Sequence, residues 1–225
     1  MMLKELREQV CEGNLALPRH GLVAWTGGNL SALADSGDRI VIKPSGRLYT
    51  EMTPDDMVIV SLDGRIIEGT HGPSSDTSSH LGIYRGREDV KSVVHTHSTY
   101  ATAWAALGEE IPCCLTAISD EFGGPIPCGG YARIGGNAIG EEILRSIGHS
   151  PAILMKQHGV FTIGPGIQKA LQAAVMVEDV AHTMWAARLM GTPIPLPEEE
   201  IAANFDRYTH RYGTAQASEG VTENV

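Results

Sequence analysis

The run DMVIVSLDGRIIEG, residues 56–69, limits the fold more than any other, because two β-branched stretches meet there at Asp63-Gly64. An Asp-Gly junction suits a tight hairpin turn, so the two stretches are expected to pair antiparallel. AILMKQHGVFTIG repeats the pattern, with two apolar runs broken at His158-Gly159 into strand, turn and strand. No GxGxxG opens a helix after the first strand, which excludes a Rossmann arrangement.

The other elements are mixed. LVAWTGGNLSAL reads as a strand-like run interrupted by Gly27 and Gly28, RIVIKPSG as a short strand ending at Pro44, and KSVVHTH as a third strand. Leu3, Leu6 and Val10 recur at helical spacing among charges, which predicts an amphipathic first helix. A second helix is expected to begin between Ser74 and Ser79, and a short one in STYATAWAALG, capped by Ser98 and ended by Gly108. The longest helical pattern places Ile167, Leu171, Val175, Met184 and Leu189 on or near one apolar face, closed by Gly191 and Pro193. These elements predict an α/β layered domain.

With 225 residues, no repeat and no Pro/Ser-rich linker, the chain reads as one domain with a flexible tail over 214–225. A net charge of −10 argues against nucleic acid as a partner, since a phosphate backbone calls for a Lys/Arg surplus. It leaves room for a small anion, which a few backbone N–H groups and one cation suffice to hold. Cys11, Cys113, Cys114 and Cys128 show no CxxC spacing, which suits reduced thiols in the cytoplasm. No apolar run reaches the length of a membrane span, so a soluble protein with no membrane partner is expected.

Four glycine-flanked polar clusters could carry chemistry. His95 and His97 stand two apart at a strand end, where both side chains reach one point, and His158 precedes a Gly turn. Imidazoles so placed suit a divalent metal, and they equally suit ordinary core or surface positions. Ser74 and Ser75, with Asp76, form either an anion cradle at a helix start or a set of plain caps. Lys43, Ser45 and Gly46 suit an anion or a simple turn, and Asn29 follows two glycines that permit close backbone approach. Gly-x-Ser-x-Gly is missing, and no cysteine has a nucleophile's setting, so covalent hydrolase chemistry ranks low.

In order, GGNLSA, IKPSG, EGTHGPSSDTSSHLGIYR, VVHTHSTYATAW, IPCGGYA and QHGVFTIG resemble the class II aldolase/adducin family across nearly the whole chain. The resemblance implies one layered domain over 1–213, with a central, largely antiparallel sheet flanked by helices. It implies a divalent metal, Zn²⁺ or else Mn²⁺ or Co²⁺, on His95, His97, His158 and Asp76, the last as ligand or base. It further implies a substrate phosphate on Asn29, Lys43, Ser45, Gly46, Ser74 and Ser75. Two activities are implied. The branch similar to L-fuculose-1-phosphate aldolases carries Glu after the paired serines. The branch similar to L-ribulose-5-phosphate 4-epimerases carries Asp there, as Asp76 does here, and an Asp before IPC, matched by Asp120. Tyr212-Gly213 matches a C-terminal Tyr-Gly found in both branches, so the two aspartates are what favour the epimerase, with Asp120 and Tyr212 as its acid/base pair. A homotetramer with interface active sites is implied as well. Adducin-type members that bind partners without catalysis are the remaining alternative.

Overall fold

A computed structural model describes residues 2–212. Eight strands form one sheet in the order β4-β3-β2-β1-β5-β8-β7-β6. They are β1 (Asn29–Leu33), β2 (Arg39–Ile42), β3 (Val58–Ser61), β4 (Ile66–Glu68), β5 (Ser92–Thr96), β6 (Cys128–Gly129), β7 (Ala152–Met155) and β8 (Gly159–Gly164). Every pairing is antiparallel except β6 with β7. Both expected hairpins form, β3–β4 around Asp63-Gly64 and β7–β8 around His158. The expected layered fold with a largely antiparallel sheet is present.

Among the described residues seven helices accompany the sheet: α1 (Lys4–Arg19), α2 (Thr77–Gly86), α3 (Thr99–Leu107), α4 (Thr116–Phe122), α5 (Ala138–Ser146), α6 (Ile167–Met190) and α7 (Glu198–His210). Strand alternation sorts the core into two faces. Ile40, Ile42, Val58, Val60, Val93, Phe161 and Ile163 turn to one side, where α2 and α5 supply Leu81, Ile83, Tyr84, Ile139 and Ile143. Val41, Ile59 and Val94 turn to the other side, against α1 and the start of α6. Ala152, Leu154 and Val160 continue that second face beneath α3, α4 and the rest of α6. Helices cover both faces, so the strands are apolar on both sides.

Three expectations change. β1 begins only at Asn29, because Trp25 and Gly28 both take left-handed backbone (φ 57° and 70°) and turn the preceding segment out of the sheet. The buried face of α6 consists of Ala170, Ala173, Ala174, Val177, Val180, Ala181 and Met184, whereas Leu189 is 71% exposed. Small residues let this helix lie close to the sheet, and a search for large apolar residues misses that stripe. Helices α4, α5 and α7 have no counterpart in the sequence reading. All four cysteines are free thiols. Among the described residues no helix is long and apolar enough to cross a membrane. The expected tail, 214–225, lies outside the described residues.

Candidate metal centre

His95 is the fourth residue of β5, a central strand between β1 and β8. Its Nδ1–H donates to the Val160 carbonyl of β8 at 2.9 Å, and its ring stacks on Phe161 with centroids 4.2 Å apart. That bond fixes the tautomer and leaves the Nε2 lone pair facing inward. His97 is the first residue beyond the strand end, and His158 lies in the β7–β8 turn. One ring nitrogen from each of the three histidines falls within 4.8 Å of the other two.

The close approach depends on glycine. A Cβ on Gly159 would lie 2.5 Å from the Thr96 carbonyl oxygen and 2.6 Å from His97 Cδ2. A Cβ on Gly28 would meet Val23 Cγ1 at 2.4 Å and the His95 carbonyl oxygen at 2.8 Å. Both positions are far tighter than a side chain tolerates.

Burial pushes the His95 pKa down to about 3, with the Asp76 carboxylate pulling the other way. Burial also lowers His97 and His158. The imidazoles are therefore neutral near pH 7 and present lone pairs. His95 Nε2 and His158 Nδ1 are buried with no hydrogen-bond partner among the described residues. An orphaned buried acceptor is costly, and His95 Nε2, left without a partner beside two further imidazoles, fits a shared cation.

Asp76 stands 4.0 Å from His95 Nε2 through Oδ2. It occupies the N-cap position of α2, yet its side chain makes no capping bond. Asn29 Nδ2 donates to the same oxygen at 2.7 Å. Burial alone would raise the Asp76 carboxyl, but His95, His80 and the Asn29 bond outweigh it and hold it below the usual carboxylate range. The converging group is the three histidines, with Asp76 beside His95 and outside the cluster, and neutral imidazoles of this kind suit Zn²⁺, Mn²⁺ or Co²⁺.

The two anion-loop candidates lie side by side. Pro44 and Pro73 form an isolated antiparallel bridge, the Ser45 N–H donates to Gly72 O at 2.9 Å, and the Ser74 N–H donates to Lys43 O at 3.0 Å. Ser45, Gly46 and Ser75 are exposed, while Lys43 is 2% exposed and donates through Nζ to Thr26 O. Burial lowers the Lys43 pKa, and the nearby Asp76 opposes that shift.

Asp120 and Tyr212 lie elsewhere. Asp120 sits on α4 and accepts two bonds from Arg207 of α7, at 2.9 and 3.0 Å. Tyr212 follows α7, 65% exposed, and stacks on Tyr208 at 5.0 Å. Asp120 and Tyr208 share a cavity with Ile163 and Pro165 at the far end of β8 from Gly159. A strand of that length spans about 16 Å, at ~3.3 Å per residue. One chain brings Asp120 and Tyr212 to a common face, and it does not bring them to the histidines.

Sequence reading also missed supporting residues. Glu178 of α6 accepts the Tyr100 and Ala101 N–H groups, both at 2.9 Å, at the start of α3. It does the capping that Ser98 was expected to do, since the Ser98 side chain makes no capping bond. His80, fully buried, pairs through Nδ1 with Ser31 Oγ at 2.7 Å and leaves Nε2 without a partner among the described residues. His80 belongs to the GPSSDTSSH motif, whereas nothing local marks Glu178.

Residues 8–185 match the class II aldolase and adducin N-terminal domain. The chain belongs to that family. Among curated relatives, L-ribulose-5-phosphate 4-epimerase UlaF of Salmonella paratyphi B (strain ATCC BAA-1250 / SPB7) is 42% identical over 197 residues, covering 83% of this chain and 86% of the relative. Among solved structures, an L-fuculose 1-phosphate aldolase superposes with a TM-score of 0.87 at 27% identity, covering 91% of this chain and 96% of that one. YgbL of Escherichia coli superposes at 0.78 with 26% identity, covering 90% and 98%. The similarity to class II aldolases thus extends from the motifs to the whole domain.

Proposed function

We propose that the chain is a divalent-metal-dependent epimerase that interconverts L-ribulose 5-phosphate and D-xylulose 5-phosphate by breaking and re-forming the C3–C4 bond. The observation that carries this reading is the convergence of three neutral histidines, two with buried unpartnered nitrogens, beside two loops joined by the Pro44–Pro73 bridge. The 42% identity to a 4-epimerase favours that activity over the aldolase.

His95, His97, His158 and Asp76 would hold the cation, as Zn²⁺ or else Mn²⁺ or Co²⁺. When bound, it supplies Lewis-acid stabilisation for the negative charge that C3–C4 cleavage leaves on the substrate oxygens. Asn29, Lys43, Ser45, Gly46, Ser74 and Ser75 hold the phosphate and so retain the aldehyde fragment while it rotates to present its other face. Asn29 also orients Asp76 through its amide.

Inversion at C4 needs a proton acceptor for one configuration and a donor for the other, on opposite faces. Asp120 and Tyr212 take these roles, and their separation from the histidines within one chain favours their coming from a neighbouring subunit. A homotetramer in the cytoplasm, with active sites between subunits, is part of the proposal.

Incubation with L-ribulose 5-phosphate should yield D-xylulose 5-phosphate. Release of dihydroxyacetone phosphate from L-fuculose 1-phosphate, with no xylulose 5-phosphate from the first substrate, would establish the aldolase instead, the reading that the aldolase structural neighbour favours. A purified protein that neither contains nor takes up divalent metal would leave only a binding role.

A further inference from the structure

The segment Thr26-Gly27-Gly28 is held by a side chain, Tyr49, that the proposed reaction does not use. Tyr49 lies in a 3₁₀ turn, Tyr49–Glu51, six residues after Lys43, and is 6% exposed. Its hydroxyl is shared between the carbonyls of Gly27 at 2.9 Å and Gly28 at 3.0 Å. Its ring also lies beneath the Lys43 ammonium, 4.9 Å from the centroid, and that ammonium donates to Thr26 O at 3.0 Å. Three successive carbonyls are thus drawn toward two buried donors.

In a trans peptide the N–H of the next residue points opposite to the carbonyl. Fixing the carbonyls of residues 26–28 therefore turns the N–H groups of residues 27–29 to the other side. Gly27 spends its N–H on Ala24 O, and Asn29 stands opposite His95 in the β1–β5 ladder. The N–H of Gly28, left-handed at φ 70°, is thereby turned to the side away from Tyr49 and Lys43, and no backbone carbonyl takes it among the described residues, which leaves it for a ligand. A left-handed glycine flanked by fixed peptides is a backbone arrangement that receives anions. Burial pushes the Tyr49 phenol up, so its hydroxyl stays a donor.

We propose that Tyr49 is a positioning residue for the substrate's phosphate, holding the Gly27 and Gly28 carbonyls so that the Gly28 N–H is aimed at the anion before the ligand arrives. This rests on the sugar-phosphate reading above.

The test is Tyr49→Phe in the full-length, metal-loaded enzyme. The ring and its support of Lys43 remain, and the two carbonyl bonds are lost. Inorganic phosphate, measured by calorimetry, should bind about tenfold more weakly, and KM for the sugar phosphate should rise by a similar factor. The kcat and the metal content should stay within about twofold of the unsubstituted enzyme. Unchanged phosphate affinity, or a fall in kcat at constant KM, would overturn the role. Should the variant not fold, hydrogen exchange on the unsubstituted enzyme decides. Added phosphate is expected to slow the Gly28 amide, and no slowing rejects the proposal. If the unsubstituted enzyme binds no phosphate at all, the sugar-phosphate reading itself fails; equal binding by both forms removes Tyr49 alone.

Discussion

The histidine end of the sheet and the Asp120 end are built on opposite terms. At the first, His95 is buried in a central strand, locked by the Val160 carbonyl and pressed by Phe161. At the second, Asp120 is held by Arg207, whose side chain is 47% exposed, and Tyr212 stands exposed beyond α7. A site that must hold a cation in fixed geometry is made from backbone ladders and neutral, desolvated rings. On the proposed reading, a site that must deliver protons across a subunit boundary is left on the surface, where a second chain completes it.

The largest expected effect falls on the buried end. His97→Ala should lose bound metal and more than about 100-fold in activity, because even groups that merely support metal ligands cost 10–100-fold. Metal analysis of the purified variant reads this directly. Asp120→Ala should keep its metal while kcat falls by about 10²–10⁴-fold. Mixing and reassembling the two inactive variants sharpens the contrast. Recovered activity shows that the two ends work from different chains, while persistent inactivity places both in one.

Gly159→Ala should weaken metal binding by roughly 10–100-fold without removing any ligand, since the added methyl displaces His97 or the Thr96 carbonyl. Titration with Co²⁺, followed by its visible spectrum, would check it.

Acid sensitivity should also divide the two ends. Burial lowers the His80 pKa to about 4, below the unfolded value of ~6.5. As pH falls through that window, the unfolded chain takes up a proton that the folded chain refuses. The stability this group contributes is therefore full above about 6.5 and lost toward pH 4. Denaturant midpoints of the metal-free protein should show this slope, reduced but not abolished in His80→Gln, because His95, His97 and His158 are lowered as well. The smallest effect is expected from Arg207→Ala, about 0.2–1 kcal/mol in stability, as for other exposed ion pairs; thermal unfolding would detect anything larger.

The candidate metal histidines were legible because their spacing is local: two residues apart at a strand end, and one before a glycine turn. The separation of Asp120 from them was not, because it depends on how α4 is carried to the far end of β8, a matter of topology. The alanine stripe of α6 escaped for a different reason: close packing selects small residues, and hydrophobic periodicity weights large ones. Glu178 caps α3 from 77 and 78 residues away, a distance over which pattern carries no signal.

The position of His95 between β1 and β8 has a consequence in time. Amides in the middle of a sheet exchange with solvent only when most of the domain opens, whereas a terminal helix such as α7 opens alone. The histidine pocket should therefore outlast many openings of the α7 end. An emptied pocket can then wait, still shaped, for another ion, while the surface around Asp120 detaches and returns on a faster clock.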